Sequence, residues 1–148
     1  MGWISPGRWW KEVLRIKMTS TSATATLPSM AVAEFLADGG YERHLRVLRR
    51  QLESQVLKTV HGVHAYFPKG TRVSRPEGGF LLWVELPEGT DSIAHFEAAL
   101  ERDVVIAPGP LFSPKRAYKN FIRLNCGCPW SERTERGLAA LGELARQF

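Results

Sequence analysis

The change of hydrophobic rhythm near residue 65 constrains this chain more than any other feature. From Tyr41 to His64 the apolar residues Leu45, Leu48, Leu52, Val56, Val60 and Val63 recur at steps of three and four, with Arg43, Arg46, Arg49, Arg50 and Glu53 mostly between them. That spacing predicts one long helix with an apolar stripe and a solvated basic face. Beyond it, Pro68-Lys69-Gly70 marks a turn, Arg72 to Ser74 reads as a short extended piece, and Gly79 to Leu86 (GFLLWVEL) as an apolar strand. A helical first part therefore gives way to a mixed second part.

The remainder fills in both parts. Met1 to Pro6 reads as an apolar strand end running into a turn. Trp9, Trp10, Val13, Leu14 and Ile16 place a short amphipathic helix over Trp9 to Met18. After the hydroxyl-rich stretch Thr19 to Thr26, Pro28 and the pair Gly39-Gly40 bracket a helix of roughly ten residues carrying Met30, Val32, Ala33, Phe35 and Leu36. Downstream, Asp91 or Thr90 is placed to cap a helix with Ile93, Phe96 and Leu100 on one face. Val104 to Ala107 and Phe121 to Asn125 read as short strands. Ser131 caps a last helix whose inward face is Leu138, Leu141, Leu144 and Phe148. The expected fold is α/β with an α+β small domain: N-terminal helices and a long connecting helix, then a strand-strand-helix-strand-strand-helix sandwich. The first sixty residues offer apolar helix faces and no sheet of their own, as the outside of a larger body would.

Composition sets outer limits. A chain of 148 residues with 44% hydrophobic and 24% charged residues can bury a core. It has no apolar run of about 18 residues and no signal-peptide pattern, so a location in the cytoplasm without membrane attachment is expected. The net charge of +5 permits contact with nucleic acid, but the basic residues are interspersed with acids. The basic face at Arg43, Arg46, Arg49 and Arg50 lacks the interleaved aromatics that stack on bases and reads as a solvated or subunit-facing surface. Cys126 and Cys128 are too close for an ordinary disulfide and read as free thiols. His44, His61, His64 and His95 show no metal-ligand spacing, although His61 and His64 share a helix face.

The chemistry concentrates at Phe121-Ile122-Arg123-Leu124-Asn125, where an arginine stands in the middle of an apolar strand. A guanidinium stays charged, and burying it costs several kcal/mol unless an anion or several acceptors meet it. Its planar fork matches a carboxylate in two parallel hydrogen bonds. The plainer alternatives are that Arg123 lies on the wet face of an edge strand, or pairs with an internal Glu or Asp. Three glycine-bearing turns, Arg75 to Gly79, Ala107 to Ser113 and Cys126 to Trp130, stand beside strand ends, where backbone can approach a ligand or simply turn. No serine-nucleophile motif or phosphate-binding glycine loop occurs, so the residues alone offer a candidate anion site beside the plainer alternatives, and no catalytic apparatus.

The ordered segments GWISPGRW, AEFLADGGYERHLRVLRRQL, FPKGTRVSRPEGGFLLWVELP, VVIAPGPLFS and NFIRLNCGCPW resemble the C-terminal part of fold type I, aspartate aminotransferase-like domains that depend on pyridoxal phosphate. More narrowly they are similar to the MocR class of GntR-family transcription regulators, in which a winged helix-turn-helix precedes an aminotransferase-like domain. The resemblance implies that Arg123 binds the α-carboxylate of a substrate or effector, and that Gly78, Gly79 and the Ala107 to Ser113 loop lie near the site mouth. It also implies that the Schiff-base lysine and the other cofactor-binding residues precede Met1. Neither Lys11 nor Lys17 matches the Schiff-base motif.

What the resemblance implies overall is a C-terminal fragment. Residues 1–61 would be the tail of the large domain and the connecting helix, and 62–148 the small domain. The intact parent would be a cytoplasmic dimeric regulator using pyridoxal 5'-phosphate and sensing an amino-acid-like ligand, with DNA contacted only through an upstream domain. The isolated chain would bind no cofactor and catalyse no transamination. Two alternatives stand beside this: a fragment of a true aminotransferase, and a ligand-free self-association module.

Overall fold

The computed structural model describes residues 7–21 and 25–147. The expected N-terminal strand end and the contribution of Phe148 lie outside the described residues. The chain divides into two compact units between Leu45 and Arg46.

In the first unit a single 3-10 turn, Gly7–Trp9, leads into α1 (Trp10–Ser20), followed by α2 (Thr26–Ala37) and the start of α3 (Gly40–Tyr66). Pro28 is tolerated because it sits in the first turn of α2, where N–H groups have no intrahelical acceptor. Gly39, at a φ of 74°, supplies the left-handed residue that separates α2 from α3. The Asp38 carboxylate caps the new helix, its Oδ1 accepting from the Gly40 N–H at 2.8 Å. Phe35 and Tyr41 meet edge to face across this corner, 6.3 Å between centroids. No residue of α1 or α2 is buried.

The second unit holds the core. Its four strands, β1 (Arg72–Val73), β2 (Leu81–Glu85), β3 (Ala107–Pro108) and β4 (Phe121–Asn125), form one antiparallel sheet in the order β1-β2-β4-β3. α4 (Ser92–Leu100) follows β2, and α5 (Glu132–Leu144) follows β4. The expected strand-strand-helix-strand-strand-helix order is therefore present. Leu82 and Val84 of β2 and Ile122 and Leu124 of β4 are buried on one face, in a single cluster with Val63, Ala99, Leu138, Leu141 and Leu144 from the helices. Alternation along the strands turns Trp83, Phe121 and Arg123 to the other face. β3 is shorter than expected: Val104 to Ile106 precede it without pairing, and the ladder holds Ala107↔Arg123 and Pro108↔Ile122.

The caps agree with the sequence: Asp91 accepts from the Ile93 N–H at 2.8 Å and Ser131 from that of Thr134 at 3.2 Å. The face of α4 agrees only in part. Its buried residues are Ser92, His95 and Ala99; of the expected three, Phe96 packs partly buried against the core, while Ile93 and Leu100 are exposed. The cause is His95, which is fully buried, its Nε2–H donating to the Leu141 carbonyl at 3.0 Å, so this side of α4 carries a polar ring inward, anchored through that nitrogen. Among the described residues no helix is long and apolar enough to cross a membrane.

Candidate functional site

Arg123 sits on β4, an interior strand, opposite Trp83 of β2 on one side and Ala107 of β3 on the other. That placement removes the edge-strand alternative. The side chain is half-buried on the sheet face away from the helices, and no carboxylate pairs with it among the described residues. The nearby acid of that face, Glu85, instead meets Arg72 across the β1–β2 ladder at 3.5 Å.

What Arg123 does meet is aromatic. Its guanidinium carbon lies 4.1 Å from the centroid of the Phe112 ring. Such a cation–π contact contributes about 0.5–2 kcal/mol, more as water is excluded. Phe112 in turn packs edge-on to Trp83, 5.2 Å between centroids, and Trp83 is also edge-on to Phe121 at 6.0 Å. Tyr118 completes the group, 5.8 Å from Trp83 and 5.5 Å from Phe121. The result is an aromatic bed with one fixed positive charge in it. Such a surface suits an anion attached to an apolar body, the carboxylate on the fork and the rest on the rings.

The Ala107 to Ser113 loop brings Phe112 into this group. It turns through a second 3-10 segment, Gly109–Phe112, which lies directly against the chain at Tyr118. A β-carbon on Gly109 would run into the Tyr118 carbonyl oxygen and side chain, so only glycine permits the approach. Arg123 and this loop stand out in the sequence, whereas Trp83, Phe112, Tyr118 and Phe121 do not. Matching parity in LLWVE and FIRLN was the available signal for Trp83; nothing local pointed to Phe112 or Tyr118.

The other singled-out features separate from this site. Gly79 takes a φ of 83° in the turn before β2, plain turn chemistry. In the Cys126 to Trp130 turn, Cys126 is buried and Cys128 exposed, both as free thiols. Burial pushes the Cys126 thiol pKa up, against a smaller downward effect from a hydrogen bond with Thr59. A groove of about 910 Å³ is floored by Val104, Ile106, Leu124 and Leu138 and rimmed by Arg102, Arg133 and Arg136, and Arg123 does not line it. Arg43, Arg46, Arg49 and Arg50 are all exposed. Among the described residues no three His, Cys, Asp or Glu side chains are placed to hold a metal.

The implied pyridoxal phosphate would need a lysine as its covalent anchor. A Schiff-base lysine needs an environment that lowers its pKa, such as a desolvated pocket. Lys11, Lys17, Lys58, Lys69, Lys115 and Lys119 are all exposed, and the one charged group of the aromatic bed, Arg123, cannot form a Schiff base. The residues of this chain do not fit the cofactor's covalent anchor.

No family model matches the chain. It is 34% identical over 143 residues to the HTH-type transcriptional regulator YjiR of Escherichia coli, covering 97% of this chain and 30% of that protein. With a second such regulator of the same organism, YdcR, it shares 32% over 147 residues, 99% of this chain and 31% of the relative. With the 2-aminoadipate transaminase of Thermus thermophilus it shares 32% over 132 residues, 89% and 33% respectively. Among solved structures, the α-aminoadipate aminotransferase LysN of Thermus thermophilus, complexed with N-(5'-phosphopyridoxyl)-L-leucine, superposes with a TM-score of 0.81 at 30% identity, over 95% of this chain and 36% of that one. A kynurenine aminotransferase from Pyrococcus horikoshii gives 0.80 at 29%, over 96% and 35%. The chain thus spans about a third of the length of the relatives it matches.

Proposed function

We propose that this chain, which has the fold of the C-terminal part of fold type I aminotransferases and matches HTH-type, GntR/MocR-like regulators, is the C-terminal piece of an effector-sensing domain in such a regulator. Residues 1–61 are the tail of the large domain and the connecting helix, and 62–148 the small domain. An amino-acid-like ligand is held by its carboxylate on Arg123. The observation that carries this reading is a half-buried guanidinium on an interior strand with an aromatic support and no carboxylate paired with it among the described residues.

If bound in the intact protein, pyridoxal 5'-phosphate would supply the amino-group chemistry, and none of the lysines of this chain, all exposed, would be its anchor. The part played here is recognition and orientation: the Arg123 fork fixes the carboxylate in a plane, and the rings of the open face exclude water from the bond. Ligand bridging both domains closes one on the other, and closure is relayed to an upstream DNA-binding region. The working protein is a cytoplasmic homodimer.

Titration of the full-length protein with L-amino acids, read by the cofactor's visible absorbance and by DNA affinity, tests this. In Arg123→Ala the cofactor band should persist while ligand affinity falls about a hundredfold, since two charge-assisted hydrogen bonds contribute roughly 3 kcal/mol. An unchanged response would overturn the assignment and favour a ligand-free self-association module. The similarity to transaminases supports a second reading, in which the same arginine grips a true substrate. Turnover of an amino acid to its 2-oxo acid by a full-length protein without DNA affinity would decide for it.

A further inference from the structure

We propose that Phe112 is a positioning residue for Arg123, holding the guanidinium fork in place before any ligand arrives. This rests on the reading of Arg123 as a carboxylate site and deepens it by saying what keeps the site ready.

An unsupported arginine samples many rotamers, and ordering them on binding weakens the complex. Proteins commonly fix such a side chain with an aspartate or glutamate. A carboxylate, however, occupies the same N–H donors that a ligand carboxylate needs. A phenyl ring does not: it attracts the cation through its π-face and takes up none of the five N–H groups. With the guanidinium carbon 4.1 Å from the Phe112 centroid and no carboxylate pair among the described residues, Arg123 is held in this way.

The ring itself is fixed from two directions. Trp83, directly opposite Arg123 in the β2–β4 register, meets Phe112 edge-on at 5.2 Å. The backbone beneath it runs Pro108-Gly109-Pro110, with two proline φ angles preset and Gly109 pressed against Tyr118. Sequence, turn and ring thus form one brace.

The test is side-chain NMR of the full 15N-labelled chain, with acetate as the carboxylate probe and the Arg123 Nε–H resonance assigned by its loss in Arg123→Lys. In the native chain this resonance should be displaced by the Phe112 ring current, and its heteronuclear NOE should approach backbone values. In Phe112→Leu both features should fall to those of the exposed arginines, and acetate should bind about fivefold more weakly. Phe112→Tyr should restore all three. If the native Arg123 resonance is as mobile as that of exposed Arg43, the proposal is overturned without any variant, whatever becomes of Phe112→Leu folding. An ordered resonance that keeps its order and affinity in Phe112→Leu overturns it too. An ordered, Phe112-dependent resonance that ignores acetate sustains the brace and removes the carboxylate reading instead.

Discussion

His95 is buried on α4 although nothing in its surroundings in sequence sets it apart from the exposed His44, His61 and His64. Desolvation pushes its pKa below the usual imidazole value, and the Leu141 carbonyl that accepts from it pulls the other way without prevailing. The folded state therefore holds His95 neutral at a pH where the unfolded chain already protonates it. Since the unfolded state then binds more protons, stability is full above the unfolded value near 6.5 and is lost as pH falls below it toward the folded value. Thermal unfolding at pH 7.5 and pH 5 should show this loss. His95→Gln, which keeps a donor for Leu141, should flatten the dependence between those two points. A native-like slope in that variant would place the titrating group elsewhere.

At the scale of elements, two helical glycines separate cheap contacts from expensive ones. A β-carbon on Gly142 of α5 would meet backbone, the Tyr66 carbonyl at the end of α3, whereas one on Gly62 of α3 would meet the far end of the Leu138 side chain. Alanine gains about 0.5–1 kcal/mol over glycine inside a helix, and overpacking costs about 1–3 kcal/mol where the neighbour cannot yield. Gly62→Ala should therefore be the less destabilising of the two, since the buried Leu138 side chain can shift where the Tyr66 backbone cannot, as read from urea midpoints. Removing the hydroxyl that caps α5, Ser131→Ala, should cost about 1 kcal/mol. These elements also mark what a sequence can disclose. The inward positions Leu138, Leu141 and Leu144 were legible because helical periodicity is local, and the caps because Ser131 and Asp91 satisfy nearby N–H groups. The inward side of α4 was not legible: hydropathy puts Ile93 and Leu100 inside, and only the distant Leu141 carbonyl explains why His95 goes there instead. For the same reason Arg123 could be found as a charge in an apolar strand, while its partner Phe112, on a separate turn, could not.

At the scale of the whole chain the two units differ in kind. The unit from Arg46 onward has a closed core. The one before it leaves Trp10 51%, Ile16 61% and Leu27 79% exposed, and no residue of α1 or α2 is buried. Apolar surface on this scale is unusual for a monomer in water and drives association when its natural cover is missing. The 148-residue chain should accordingly sediment as dimers or larger species at micromolar concentration. A chain of residues 46–148 should remain monomeric while keeping the strand signature in circular dichroism. The contrast locates the cause. Association that persists without residues 1–45 would shift it to the open sheet face, where Phe112 and Tyr118 are also exposed, and Tyr118→Ser should then abolish it. Association lost with residues 1–45 assigns it to the exposed helix faces of α1 and α2.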